Sequence, residues 1–266
     1  MPFTIAHAAA ALPLRKLKLV WSAFVIGTFA PDFQLFLNLT HSSRDAHHFP
    51  ELATFTLPAA FVALWLLHNV VKNPVAELLP DGLRLRLTPY LGPFSFVGVR
   101  RFAAIMGSLI LGIATHLLWD SITHPYTWAY YQWEWLRGYA TISVLGDVRV
   151  EPHCRLLQYA SSVLGCVAVA LWLVAWYRRT APANAGKKPI FTPAHRLFIV
   201  LSMLSVPWMA ALILAFQRGH ILEDFSHLHT FATYLVLLPG TLLWGEIFLY
   251  ALVASQLYNL QRSESR

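Results

Sequence analysis

The chain has 266 residues, 57% of them hydrophobic and only 12% charged, with a formal net charge of +7. Soluble domains carry about 25% charged residues, so the composition excludes an ordinary soluble fold. The basic residues form no stripe on a soluble domain, which excludes a nucleic-acid-binding module, and two cysteines, Cys154 and Cys166, are too few for a disulfide framework.

Crossing roughly 30 Å of hydrocarbon takes about 20 helical residues. Residues 3–14, from Phe3 to Leu14, form an Ala-rich helix candidate too short to span, and they carry His7. The basic cluster Arg15, Lys16 and Lys18 follows. The first long apolar run, Leu17–Leu39, is interrupted at Ala30-Pro31-Asp32. Proline removes a backbone donor and disturbs the turn before it. Irregular backbone at membrane depth is tolerated where it lines a cavity or is buried in protein. The run lacks the basic lead and small-residue end of a cleaved signal, so it is expected to remain as an anchor.

A short loop, 40–51, then crowds together His41, Asp45, His47 and His48. The second run is Leu52–Val71. The segment 72–101 contains Pro, Gly and Arg and is expected to hold a surface helix around Pro80–Leu87. The third run, Phe102–Ile122, carries His116 and Asp120, with His124 one turn on. The long loop 123–155 has Trp128, Tyr130, Tyr131, Trp133 and Trp135, which suit an interfacial aromatic belt. Runs four to six are Leu156–Tyr177, Leu197–Phe216 and Thr230–Ala254, and a last polar loop between the fifth and sixth holds His220, Glu223, Asp224, His227 and His229. With the N-terminus inside, fifteen of the twenty basic residues fall on one side and five (Arg44, Arg137, Arg149, Arg155 and Arg218) on the other. That bias fits the positive-inside rule and puts both termini in the cytoplasm.

The expected fold is all-α, a polytopic transmembrane bundle of about six spanning helices with a short N-terminal half-helix. Residues 1–177 form a metal-site membrane domain, 178–196 an inner linker, and 197–266 a two-helix membrane segment. No internal repeat is evident.

Ionisable groups inside a bilayer cost several kcal/mol each, so His116 and Asp120 need a partner. Four apart, they share one helix face. Imidazole and carboxylate are zinc ligands at about 2.0–2.2 Å. The alternative is that Asp120 and His124 close the outer helix end and meet water. Asp32 is either a metal carboxylate or a turn residue bonding local amides. The outer ends of runs one to three should lie together, bringing Asp32, His47 or His48, His116, Asp120 and His124 towards one place. His7 joins them if residues 3–14 dip into the membrane, and is otherwise a neutral histidine on an apolar helix. His220, Asp224 and His227 have spacings that one helical face can share; they form a possible second cluster or a solvated loop. His68, His153, His195 and His41 read as structural or solvent-facing. Neither a Gly-rich phosphate loop nor a Gly-x-Ser-x-Gly elbow occurs, which disfavours nucleophilic serine or cysteine catalysis.

Several segments together resemble the bacterial domain-of-unknown-function 4184 family. They are Met-Pro-Phe-Thr-Ile-Ala-His-Ala-Ala at 1–9, Ala-Pro-Asp at 30–32, the His-His pair before Leu57-Pro58, His116-Leu-Leu-Trp-Asp120-Ser-Ile-Thr-His124, and Leu-Leu-Gln-Tyr-Ala-Ser-Ser at 156–162. The likeness covers most of the chain and is strongest over 1–177. That family is similar to membrane-bound proteins predicted to be metal-dependent hydrolases, and more faintly to the helical zinc-dependent phospholipase C and nuclease fold. The resemblance implies a metal set of His7, Asp32, His47, His116, Asp120 and His124, with His47 preferred to His48 by its distance to Pro58, and a place in a bacterial inner membrane.

Three functions compete. The leading one is a membrane-embedded metal-dependent hydrolase with one or two divalent ions, zinc first, acting on an ester or phosphoester of a lipid or other amphiphile, with Asp32 or Asp120 as ligand or general base. The second is a transporter or ion-conducting protein using intramembrane His and Asp. The third is a non-catalytic scaffold with a structural metal or a polar network. The sequence is silent on oligomeric state.

Overall fold

The computed structural model of the chain describes residues 4–38, 49–144, 147–184, 191–219 and 228–264. It is 81% helical, and among the described residues the only sheet is one two-stranded hairpin. Five helices are long and apolar enough to cross a membrane: Leu52–Leu78, Val99–Gln132, His153–Arg179, Pro193–Gln217 and Leu237–Gln256. The fold is thus that of a multi-pass helical membrane protein. The described residues divide into two units. The first is Met1–Asp32, Arg44–Phe61 and Phe96–Trp176, and the second is Phe33–Ser43, Val62–Ser95 and Tyr177–Arg266.

The first unit begins with the expected half-helix. A 3-10 stretch, Thr4–Ala10, runs into α1, Ala11–Leu14. Helix α2, Trp21–Phe29, then ends in a 3-10 turn at Ala30–Asp32, and α3, Phe33–Asn38, follows in the second unit. The first predicted run is therefore three short helical pieces, because Pro31 cannot continue the α-helical ladder. Ala30, Pro31 and Asp32 are all buried there.

Helices α4 (Leu57–Leu66), α5 (Lys72–Leu78) and α6 (Asp81–Leu87) come next. The last is the surface helix anticipated around Pro80–Leu87. Helix α7, Val99–Thr123, is the long rod of the first unit. It packs along α2 through a pair of glycines: a Cβ on Gly112 would sit 2.9 Å from Gly27 Cα and would meet the Phe24 carbonyl. Small residues let membrane helices approach this closely. Phe24, Ile105 and Leu109 close the core around the contact.

The segment expected as a plain loop, 123–155, folds into α8 (Trp128–Gln132), α9 (Glu134–Arg137) and a hairpin of β1 (Tyr139–Val144) and β2 (Asp147–Pro152). The strands pair antiparallel from Tyr139 opposite Pro152 to Val144 opposite Asp147. Thr141, Ile142, Val144, Val148 and Val150 give the hairpin its β-branched content. Trp128, Tyr131, Trp133 and Trp135 are exposed, whereas Tyr130, expected with them in the belt, packs against the cluster of Ala129, Leu136 and Cys154. Helix α10, His153–Arg179, completes the unit. Gly165 on α10 lies against the half-helix, where a Cβ would come 2.9 Å from the Ala6 carbonyl oxygen.

In the second unit, α11 (Pro193–Gly219) and α12 (Leu228–Glu264) pack on each other. Thr241 Oγ1 donates to the Phe36 carbonyl at 2.6 Å and Tyr250 to the Pro74 carbonyl at 3.2 Å. Arg196, only 6% exposed, donates to the Leu79 carbonyl at 2.9 Å and to Asp81 Oδ1 at 3.0 Å. That hydrogen bond is the main cause holding the Asp81 carboxyl below the usual carboxylate range, against the opposing effect of desolvation.

Candidate metal centre

Three separate stretches of the first unit converge on one point. The half-helix supplies His7, the 3-10 turn after α2 supplies Asp32, and α7 supplies His116 and Asp120. All four are buried. His116 Nε2 lies 3.2 Å from Asp120 Oδ2 and 3.8 Å from Asp32 Oδ1. His7 Nε2 lies 3.4 Å from Asp120 Oδ1. The two imidazoles stack, with centroids 4.0 Å apart, and Trp119 meets His7 edge-on at 5.4 Å.

His116, Asp32 and Asp120 each meet a supporting group. His116 Nδ1 is 2.8 Å from the Thr28 carbonyl. A carbonyl only accepts, so the ring proton sits on Nδ1 and Nε2 of the neutral ring presents a lone pair. The Gly112–Gly27 contact makes this possible: Gly112 is one turn before His116 on α7, and Gly27 precedes Thr28. Thr4 Oγ1 donates to Asp32 Oδ2 at 2.6 Å. His124 Nδ1 faces Asp120 Oδ1 at 3.5 Å. Its Nε2 is 2.9 Å from the amide of Gln158, which is buried on α10. The Ala6–Gly165 contact seats the residue preceding His7.

The chemistry of this donor set has one dominant feature. A neutral His116 directs its Nε2 lone pair at two buried carboxylates, an arrangement that repels itself unless a cation lies between them. That cation is either a proton, carried on the ring or on a carboxyl, or a metal. One ligand atom from each of His7, His116 and Asp120 lies within 4.8 Å of the other two. Ligands about 2.0–2.1 Å from one tetrahedral ion stand roughly 3.3 Å apart; His116 and His7 lie 3.2 and 3.4 Å from the two different oxygens of Asp120. The residues present fit a divalent ion.

Of the residues singled out from sequence, His7, Asp32, His116 and Asp120 come together, and His124 joins them through Asp120. His47 and His48 lie outside the described residues, as do His220, Asp224 and His227. Thr4, the Thr28 carbonyl and Gln158 were not anticipated. Gln158 sits in the Leu-Leu-Gln-Tyr-Ala-Ser-Ser segment, a polar residue within an apolar helix, which was the available signal. Among the histidines read as structural, His68 stacks on Phe94, and His153 bonds the Trp135 carbonyl through Nδ1 at 2.8 Å.

A family model described as a domain of unknown function (DUF4184) matches residues 1–251. No curated protein and no solved structure matches the chain.

Proposed function

The chain belongs to the DUF4184 family, and we propose that its buried His–Asp cluster makes it a membrane-embedded metal-dependent hydrolase acting on an ester or phosphoester. The observation that carries this reading is the orientation of His116, whose Nε2 the Thr28 carbonyl turns towards Asp120 and Asp32. His7, His116 and Asp120 would hold the ion. Three protein donors are the usual complement of a catalytic zinc site. A divalent cation there, zinc first, supplies Lewis-acid polarisation of the scissile group and acidifies water.

The remaining roles belong to the protein. Thr4 ties down one oxygen of Asp32 and leaves the other facing the cluster, which suits Asp32 to take a proton from water as general base. Gln158 orients His124, and His124 in turn orients Asp120. Trp119 shields the outer edge of His7. The charge bias of the sequence supports a bacterial inner-membrane setting with both termini cytoplasmic, and an amphiphilic substrate enters most directly from the bilayer.

Elemental analysis of the purified protein, before and after chelation, tests the reading. Stoichiometric divalent metal, its loss in His116→Ala, and metal-dependent release of product from a micellar phosphoester are expected. Metal-free protein whose thermal stability ignores chelators would overturn it.

A further inference from the structure

Beside the cluster, the half-helix, α7 and α10 enclose an open cavity of about 540 Å³, within the range of roughly 300–1,000 Å³ of ligand pockets. We propose that this cavity seats an acyl chain of a bilayer lipid. The proposal deepens the hydrolase reading and rests on it for one part only, that the head of the same lipid reaches the cluster.

The walls decide the chemistry of the occupant. Leu118, Ile122, Leu157 and Leu164 supply hydrocarbon. Every polar side chain in the lining is already engaged by a neighbour. Trp119 Nε1 donates to Ser161 Oγ at 3.1 Å, and Ser161 Oγ to the Gln158 carbonyl at 3.3 Å. Thr123 Oγ1 donates to the Trp119 carbonyl at 3.1 Å and Thr115 Oγ1 to the Gly112 carbonyl at 2.8 Å. The cavity thus offers dispersion contact and little that would orient a polar molecule, which is the wrong lining for a soluble metabolite and the right one for an alkyl chain.

Its position supplies the source. Leu118 is 62% exposed and Leu164 67% exposed, so the mouth opens outward from α7 and α10. Both belong to segments long and apolar enough to cross a membrane, where the surrounding medium is lipid. The inner wall is shared with the cluster: Trp119 lines the cavity and packs on His7, while Thr123 lines it and lies 3.3 Å from His124 Nδ1. A chain seated there has its polar end beside Asp120.

Photolabelling tests this directly. The full chain is placed in phosphatidylethanolamine and phosphatidylglycerol vesicles doped with a phospholipid bearing a diazirine on its acyl chain. After irradiation, the labelled residues are mapped. Label is expected to concentrate on Leu118, Leu157 and Leu164 about tenfold over Leu171 and Leu173, which are exposed on the same α10 helix, a preference of about 1.4 kcal/mol. Ala160→Trp, which fills the cavity from an exposed lining position, should abolish the preference and leave metal content unchanged. Leu164→Trp is the second variant should the first not fold. Label spread evenly along α10, a preference that survives both substitutions, or cross-links to a second copy of the chain in place of lipid would each overturn the proposal. Concentrated label on a protein that binds no metal would leave the tail seat standing and remove the hydrolase reading; bound metal with even label would do the reverse.

Discussion

Each unit gathers charged groups, a buried His–Asp cluster in the first and a buried Arg196 reaching an exposed Asp81 in the second, and the two solve the electrostatics in opposite ways. In the second unit, Arg196 brings its own fixed cation to the Leu79 carbonyl and to Asp81. Donor meets acceptor through one guanidinium nitrogen, with the buried Nε left without a hydrogen-bond partner among the described residues. In the first unit, two imidazoles and two carboxylates converge, and their lone pairs face one another. A buried group that closes on itself stabilises a helix junction. The other arrangement is the one that the proposed function assigns to an added cation.

Removing a donor from the first unit should produce the largest effect. His116→Ala is expected to lower metal affinity by more than roughly 100-fold, beyond the 10–100-fold typical of outer-shell changes, as measured by competition with a chromogenic chelator. Retained affinity would erase the contrast between the units. Gln158→Leu should act one step further out, releasing His124 and weakening metal binding by about 10–100-fold. The same titration reads it, and unchanged affinity would show that Gln158 serves packing alone.

Arg196→Met probes the second unit. Loss of its donors to the Leu79 carbonyl should cost about 1–3 kcal/mol in unfolding experiments, with metal content equal to wild type. The smallest effect concerns pH. Because the folded-state value of Asp81 is depressed, its contribution to stability is present above the unfolded carboxylate value, about 3.9, and is lost as the pH falls through the folded one. Asp81→Asn should remove that acid-side decline from a profile of thermal stability against pH, leaving the neutral region little changed.

Much of the centre could be read from sequence because its core is local. The spacing of His116, Asp120 and His124 is intrinsic to one helix, and Pro31 announces the break that buries Asp32. His7 was readable as a member through the short length of its helix and through the resemblance carried by residues 1–9. The supporting groups were not readable. Thr4 and Asp32 are 28 positions apart, and Gln158 and His124 are 34 apart; only folding brings them together. The fold class followed from composition, and five of the six predicted runs contain helices long enough to span. The first run differs because proline divides it, and the hairpin at 139–152 is masked in the sequence by the aromatic, charge-rich segment that precedes it.

The glycine contacts have a further consequence for which ions can be accommodated. Gly112 against Gly27, and Gly165 against Ala6, place backbone on backbone, with no flexible side chain to yield. The elements that carry His7, Asp32 and His116 are thereby held close to their neighbours, while His116 and Asp120 keep the spacing of a single helix. If the proposed metal binds, such a spacing would suit small ions with short bonds to nitrogen. It would disfavour calcium, which takes six to eight oxygens at about 2.3–2.6 Å, so discrimination by ionic radius would originate partly in residues that never touch the ion.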